Sequence, residues 1–415
     1  IHRKDWKLTK MNAVNLQKII NLRHLLHTCP ELSMQEHHTK EVLMDFLRRE
    51  TALEVADCGS WFYACYPCME APGMEASCIE ASGMETPCME ATLKRPIAFR
   101  ADFDALPIEE ALDLPYASQN PGVSHKCGHD GHSAALAGLA LEVDENGADR
   151  DVYFIFQHGE EIGGGGERCS SIIREKGISQ VYAFHNWSGF PLNSIVVKEG
   201  TCQCASKGLT VYLEGKPSHA SQPEDGTNPA RALSCLMMDL TAGVCGGCGD
   251  TEREGMVLAT IVHVAAGNRE AGTCVKDFGI SAWYGELSVT LRAEREQDLK
   301  KLETRIRQRA GELAEAEKLK VSFAECDIFP ETVNSADGVE RVKQAAKNCG
   351  FPIIELEKPI RASEDFGYYL KQCPGAMFYI GNGETYPELH TSEYDFNDAV
   401  LETAVGMFWE LVKIS

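Results

Sequence analysis

Four short apolar runs, each followed closely by charged or metal-binding side chains, restrict the fold of this 415-residue chain more than any other feature. The runs cover residues 96–99, 152–156, 181–184 and 376–380. They are almost continuously apolar and helical patterns lie between them, which is typical of parallel strands covered on both faces. We therefore predict an α/β fold whose main domain has a mixed, largely parallel sheet flanked by helices.

The residues that follow these runs are of the kinds that bind metals or carry protons. In chain order they are Arg100, Asp102 and Asp104, then Glu160 and Glu161, then His185, and finally His390 after a glycine-rich loop. Ligands of such sheets bind at the carboxyl ends of the strands. Because four strands deliver these side chains to one edge, the sequence predicts a single site there.

A cluster at 127–132, Cys-Gly-His-Asp-Gly-His, adds a thiol and two imidazoles to this set. Thiolate, imidazole and carboxylate together suit a divalent ion such as Zn²⁺ or Mn²⁺. His129 is nearest to Cys127 in a glycine-containing turn and is the better candidate for sharing its ion. His132, one helical turn later, is expected to orient or pack against a ligand, and His125 to lie in a loop.

Glu160 and Glu161 are adjacent, so a regular strand would point them to opposite faces. Both reach one site only if the chain leaves the strand there, which the four glycines at 163–166 favour. The alternative is a solvated acidic loop. Likewise, His185 alone could be a satisfied core histidine, and His390 alone an ordinary loop residue. A spare carboxylate beside metal ligands would act as a general base on water.

Before the first run, the chain predicts two helices and then an insertion. Residues 15–49 read as helix, turn and helix, with Leu16, Ile19, Ile20, Leu22 and Leu25 on the apolar stripe of the first. Residues 67–91 repeat a five-residue unit five times, a period that matches neither helix nor strand. We expect a surface insertion rather than a metal tract built on its cysteines.

Between about 205 and 327 the pattern changes to strand, helix, two strands, helix and strand. This order is the split βαβ arrangement and predicts an inserted ferredoxin-like α+β domain. The chain is also too long for one ordinary core. We expect a catalytic domain made of 1–204 and 328–415, and a lid or dimerisation domain at 205–327.

The charge and the cysteines exclude several classes of protein. A formal net charge of −22 argues against binding nucleic acid or an anionic membrane surface. The seventeen cysteines lack the short framework of a small secreted scaffold, and no apolar run is long enough to span a bilayer. We expect a cytoplasmic protein. A thiol redox role would rest on Cys245 and Cys248, for which the sequence predicts a glycine-rich loop rather than the start of a helix.

Several motifs, in order, resemble the M20 family of metallopeptidases and amidohydrolases, most closely its aminoacylase, hippurate hydrolase and auxin-conjugate hydrolase branch. They cover nearly the whole chain apart from the repeat insertion. The motifs lie at 26–27 and 30–33, 100–107, 127–130, 157–161, 185–186, 218–220, 363–366, and at His390 with Phe396.

The resemblance implies a site that holds two divalent metal ions, Zn²⁺ or Mn²⁺. Its metal ligands would be Cys127, His129, Glu161, His185 and His390, with Cys127 between the two ions. Glu160 would be the general base, and Asp102 or Asp104 would orient a ligand imidazole. His219, in the inserted domain, would stabilise the oxyanion, reaching the site across a homodimer formed through that domain.

The reaction implied is hydrolysis of the amide bond of N-acyl amino acids or similar small conjugates. A dipeptidase or other exopeptidase using the same metals is the alternative, and an inactive metal-binding homologue is a further one. His158-Gly159 and Trp187-Ser188 depart from the usual Pro-Ala and Ile-Pro beside the ligands, which bears on substrate fit. Asn268 and Arg292 are candidates for holding a substrate carboxylate, although we favour a surface charge for Arg292.

Overall fold

The computed structural model describes residues 11–68, 94–242, 255–270 and 273–414. Residues 69–91 of the repeat, and the Cys245–Cys248 pair, lie outside the described residues. The helices are α1 (Ala13–Thr28), α2 (His37–Glu50), α3 (His129–Asn146), α4 (Gly166–Cys169), α5 (Ser171–Glu175), α6 (Ala230–Thr241), α7 (Glu296–Ala316), α8 (Ala336–Cys349), α9 (Gly367–Leu370) and α10 (Ala399–Ile414).

The strands form two larger sheets and one small two-stranded sheet. They are β1 (Glu54–Asp57), β2 (Phe62–Tyr66), β3 (Ile97–Asp102), β4 (Val152–Gln157), β5 (Gln180–Trp187), β6 (Ile195–Val197), β7 (Gly200–Gln203), β8 (Ala205–Glu214), β9 (Val257–Glu270), β10 (Thr273–Val275), β11 (Tyr284–Ala293), β12 (Lys320–Phe329), β13 (Thr332–Asn334), β14 (Ile353–Glu355) and β15 (Gly375–Gly381).

The larger sheet has eight strands in the order β1-β2-β4-β3-β5-β15-β6-β14. The four apolar runs of the sequence are its central strands β4, β3, β5 and β15, which are parallel to one another. Antiparallel pairs join β1 to β2, β2 to β4 and β15 to β6. The predicted mixed, largely parallel sheet is confirmed.

Helices cover both faces of this sheet. On one face, α1, α2, α3, α8 and α10 share a core with the strands, and buried alanines of α3 such as Ala134 and Ala137 let neighbouring helices pack closely. The short helices α4, α5 and α9 cover the other face. In α1 the buried position is Leu26, whereas Leu25, placed on the apolar stripe from sequence, is 50% exposed. Two consecutive leucines fit the helical period almost equally, so periodicity does not distinguish them.

The second sheet has five antiparallel strands in the order β10-β9-β11-β8-β12. Helices α6 and α7 pack on it and share a separate apolar core. The chain order β8-α6-β9-β11-α7-β12 is the predicted ferredoxin-like arrangement, and β10 adds a hairpin strand at the edge. The exact domain limits stay a prediction, and β12 continues to Phe329, past the limit expected at 327. In the part of the chain that the structure describes, every helix is too short or too polar to cross a membrane.

Candidate active site

The loops that follow the four central strands meet at one edge of the large sheet, where α3 also begins. This follows from the parallel strand directions, because parallel strands all end at the same edge. Gly128 precedes α3 with φ +100°, and a side chain there would collide with Asn186, Tyr394 and Phe396. The glycine therefore lets Cys127 and His129 turn into the site on either side of it.

Cys127 lies at the centre of the cluster. Its Sγ is 3.4 Å from Nε2 of His185 and 3.3 Å from Nε2 of His390. Two groups of metal-type ligand atoms, each within 4.8 Å of one another, include this thiol: Cys127 with His129 and His185, and Cys127 with Glu161 and His390. The arrangement is suited to two ions that share one sulfur ligand.

The imidazoles are oriented by hydrogen bonds from their other nitrogens. His129 Nδ1 lies 3.1 Å from Asp104 Oδ1, and His185 Nδ1 lies 2.7 Å from the carbonyl oxygen of Asn186. Both rings then direct Nε2 towards the cluster, and such outer contacts are typical of metal-binding histidines. His132 is held on both sides, by Asp102 at 2.7 Å and Asn186 at 2.6 Å, and packs against His185.

Two buried atoms of the cluster that lack hydrogen-bond partners also indicate a metal site, independently of any family resemblance. His129 Nε2 and Glu161 Oε1 are buried 3.7 Å apart, and within the described residues neither has a hydrogen-bond partner. Buried polar atoms rarely lack a binding partner, so these two atoms are expected to bind a metal ion. Burial and the neighbouring carboxylates raise the pKa of Cys127 well above its usual range. A dication would reverse that shift, since its charge stabilises the thiolate.

The two glutamates occupy different surroundings. The chain leaves the strand after β4, with Gly159 and Gly163 at φ +61° and +64°, so both carboxylates face the site. Glu160 is buried and groups with Glu364 and Asp365. Burial and the adjacent Glu364 raise the pKa of Glu160 well above its usual range, whereas burial raises that of Glu161 to about 7.

A buried arginine neutralises part of this acidic surrounding. Arg100 on β3 lies 2.6 Å from Asp102, 2.7 Å from Asp365 and 3.1 Å from Glu364. Its Nε also donates to the side chain of Gln157 at 3.0 Å. Removing one member of such a buried ionic group leaves its partners uncompensated, so Arg100 fixes the carboxylates around the site.

A cavity of about 440 Å³ opens over the cluster. Its lining includes Cys127, Glu160, Glu161, His185, Trp187, Gln203, Ser206, Arg292, Phe329, Ala362, Ser363, Glu364, Glu388, Leu389 and His390. Arg292 is half-buried here rather than a free surface charge, and it donates to Ser363 Oγ at 2.7 Å and to the carbonyl oxygen of Arg361. The sequence indicated that Arg292 lies on a strand, but it did not indicate that this strand packs beside residues 361–363.

Two other predicted residues lie away from the cluster. His219 is on the five-stranded unit, exposed, with its Nδ1 2.7 Å from Ser221 Oγ. It is not among the residues that line the cavity, and neither is Asn268 on β9. The structure therefore brings together the five metal-type ligands and Glu160, and it does not bring His219 to them within one chain.

One contributor, Glu36, was not indicated by the sequence pattern, and one predicted loop residue, His125, is more buried than expected. Glu36, just before α2, is buried and accepts the Gly159 N–H at 2.7 Å, beside the paired glutamates. His125 lies in a loop, as expected, but is buried there, and burial lowers its pKa to about 4. Glu36 gave no signal, because an isolated acidic residue before a helix normally indicates a solvated cap.

Comparison with known proteins gives concordant matches. The profile described as Peptidase family M20/M25/M40 matches residues 98–414. An N-acetyldiaminopimelate deacetylase of Bacillus velezensis is 26% identical, with 94% of this chain and 96% of that protein covered. An N-acetylcysteine deacetylase of Bacillus subtilis is 27% identical, with 96% of each covered. Among solved structures, a Bacillus subtilis protein described as a dinuclear metal-binding peptidase of the M20 family superposes with TM-score 0.75 at 24% identity, covering 97% of this chain and 99% of that one.

Proposed function

The chain belongs to peptidase family M20/M25/M40, and from this membership we propose that it is a metal-dependent amidohydrolase that cleaves the amide bond of N-acyl amino acids. Two similar proteins are named as deacetylases of N-acetylated amino acids, which supports the substrate class. The observation that carries the proposal is the position of Cys127, shared by two ligand groups with Glu160 beside them.

Cys127, His129, Glu161, His185 and His390 would hold two divalent ions. The mixture of thiolate, imidazole and carboxylate favours Zn²⁺ or Mn²⁺. When bound, the ions would lower the pKa of water and polarise the scissile carbonyl. Asp104 keeps His129 in the orientation that ligation requires.

Glu160 would take the proton from the attacking water and deliver it to the leaving amine. Its Oε2 lies 3.8 Å from His129 Nε2, so it borders the ligands without belonging to either of the two groups that contain Cys127. Its buried position beside the ligand groups places its carboxylate where it could accept that proton. Glu161, only one residue later, is left to bind metal.

The amino-acid half of the substrate would bind beside Arg292. The half-buried guanidinium lines the cavity and suits a carboxylate, for which arginine provides paired donors. His219 is not among the residues that line the cavity of its own chain, so we propose that it acts in a homodimer formed through the five-stranded unit. A cytoplasmic location stays a prediction.

We expect Glu160→Gln to lower kcat by about 10²–10⁴-fold on N-acetyl amino acids, because the amide cannot accept the proton from water. Metal content, measured by elemental analysis, should stay at the wild-type value. The same substitution at exposed Glu167 is the matched control and should keep full activity. Unchanged turnover by Glu160→Gln would remove the assignment of the base.

A substrate panel separates this function from its alternative. Metal-loaded protein should hydrolyse N-acetyl amino acids faster than unblocked dipeptides. Cleavage of dipeptides alone would indicate an exopeptidase, and no hydrolysis of either class by metal-loaded protein would contradict the proposed function.

A further inference from the structure

A buried arginine outside the ligand cluster joins two of the segments that carry metal ligands. Arg23, on α1, has a side chain with no exposed surface. Its Nε donates to Asp130 Oδ2 at 2.9 Å, and Asp130 directly follows the ligand His129. Its Nη2 pairs with Asp395, which lies five residues after the ligand His390. One guanidinium therefore bridges the start of α3 and the segment that carries His390.

Arg23 is the shared partner of three carboxylates. Besides Asp130 and Asp395, Asp398 lies 3.5 Å from its Nη1. Asp130 is fully buried, and the side chain of Asp395 is only 14% exposed. His27 lies beside the same two groups, with its Nδ1 2.9 Å from Asp130 and 3.8 Å from Asp395. Removing one charge from a buried ionic group leaves the others uncompensated, so loss of Arg23 would drive a carboxylate towards water.

The segment that carries His390 is the one that would move. Asp130 lies in the first turn of α3, where its Oδ1 accepts the Gly131 N–H at 2.9 Å. Asp395 lies instead between β15 and α10, in turns and irregular backbone, where its Oδ2 accepts from the Tyr116 hydroxyl at 2.8 Å. Because side-chain contacts hold Asp395, loss of the guanidinium would displace its segment more than it displaces α3.

The two ligand groups that share Cys127 depend on this segment unequally. The first ligand group adds His129 and His185, which lie at the start of α3 and on β5. The second ligand group adds Glu161 and His390, and so includes the segment after β15. A displaced His390 would therefore weaken the second ligand group and leave the first intact.

We propose that Arg23 is a positioning residue of the metal site: through Asp395 it holds His390 against Cys127, as the second ligand group requires. The present separation of His390 Nε2 from Cys127 Sγ is 3.3 Å. This inference rests on the proposed function and assigns Arg23 no contact with substrate. It predicts a selective loss of one ion, whereas a residue needed only for folding would lower the free energy of unfolding and leave both metal affinities unchanged.

Competition with a chromogenic chelator measures the affinities of the protein for its two Zn²⁺ ions. His390→Ala identifies the binding step that belongs to the second ligand group. We expect Arg23→Gln to weaken that step about 10–100-fold and the other step by less than about threefold, because outer contacts of ligands change metal affinity by this amount. Arg150→Gln removes another buried arginine, just before β4 at the opposite edge of the sheet, and should keep both affinities.

Asp395→Asn tests whether Arg23 acts through Asp395. It should weaken the same step, and the double variant with Arg23→Gln should bind the second ion no more weakly than Arg23→Gln alone, since both substitutions break one contact. Additive losses would overturn the proposal.

The remaining outcomes are equally decisive. Equal losses at both steps in Arg23→Gln, no loss, or a like loss in Arg150→Gln would overturn the positioning role and leave the proposed function standing. If Arg23→Gln does not fold, Asp395→Asn alone decides by the same criterion. Wild-type protein that binds one ion or none would contradict the two-ion site on which the proposed function depends.

Discussion

Glu36 illustrates how a single buried carboxylate supports the residues that carry the chemistry. It accepts the N–H of Gly159 at 2.7 Å, one residue before Glu160. Asp104 supports Glu161, the residue after Glu160, by accepting its N–H at 2.9 Å. Two acceptors thus fix the backbone of the loop after β4, so that both adjacent glutamates point into the site.

Burial, followed by the charge of Asp104, raises the pKa of Glu36 from 4.5 to about 7. The folded metal-free protein therefore binds this proton more tightly than the unfolded chain. The stabilisation that protonated Glu36 gives the folded state is complete below pH 4.5 and is lost as pH rises towards 7. Glu36→Gln keeps an acceptor for Gly159 and cannot ionise, so we expect it to gain up to about 3 kcal/mol relative to wild type between pH 4.5 and 8.

Urea unfolding of the chelated proteins at the two pH values measures this difference. The same substitution at exposed Glu41 on α2 is the control and should follow the wild-type pH profile. A Glu36→Gln profile parallel to the wild type would contradict the assigned ionisation.

Among the elements, α3 does most to place the site, because its first residue is His129 and its body is buried in the core. The helix can lie this close to the loop 390–398 only because Gly131 has no side chain. A Cβ there would lie 2.3 Å from the ring of Phe396. Close packing at the start of α3 therefore also positions the segment that carries His390.

We expect Gly131→Ala to destabilise the protein by about 1–3 kcal/mol, because the methyl group overpacks a rigid aromatic contact. Gly311→Ala, in the interior of α7, is a matched control, since its Cβ would meet no atom within 4 Å. That variant should gain about 0.5–1 kcal/mol from helix propensity. Chemical denaturation measures both, and equal effects at the two sites would contradict the packing argument.

At the scale of the whole molecule, metal ions bound by the ligand cluster would link distant parts of the chain. Its members come from the start of α3 and from the loops or strand ends after β4, β5 and β15. Four segments separated by up to 263 residues, the distance from Cys127 to His390, meet at one thiol. Metal ions bound there would stabilise the folded chain, because the unfolded chain does not hold the ligands together.

At a free Zn²⁺ concentration 100-fold above Kd, the folded state should gain about 2.7 kcal/mol relative to the chelated protein. Thermal unfolding with increasing metal measures this as a rising Tm. Cys127→Ala should lose most of the gain, whereas Cys373→Ala, at another buried cysteine, should keep it. A metal-dependent Tm that survives in Cys127→Ala would show that the ions bind elsewhere.

The sequence alone determined the central strands, the β-α-β-β-α-β element order of the inserted unit without its edge strand β10, and the residues that gather at the sheet edge. This was possible because apolar runs and helical periods are local, and parallel strands necessarily end together. Family resemblance, and not residue spacing, suggested which of the two glutamates would be the base, Glu160, and which would bind metal, Glu161. Within the described residues, local pattern failed where two neighbours fit equally well, as with Leu25 and Leu26.

Only the tertiary structure decided which side chains touch. Arg292 reaches Ser363 and the cavity because β11 packs beside a segment about 70 residues away, a contact that no local pattern encodes. Glu36 supports Gly159 across 123 positions for the same reason. The sequence by itself therefore determined the elements and the ligand types, which depend on local periodicity and chemistry. Tertiary packing decided the shared position of Cys127, the supports of the glutamate loop and the exposure of Trp187 to the cavity.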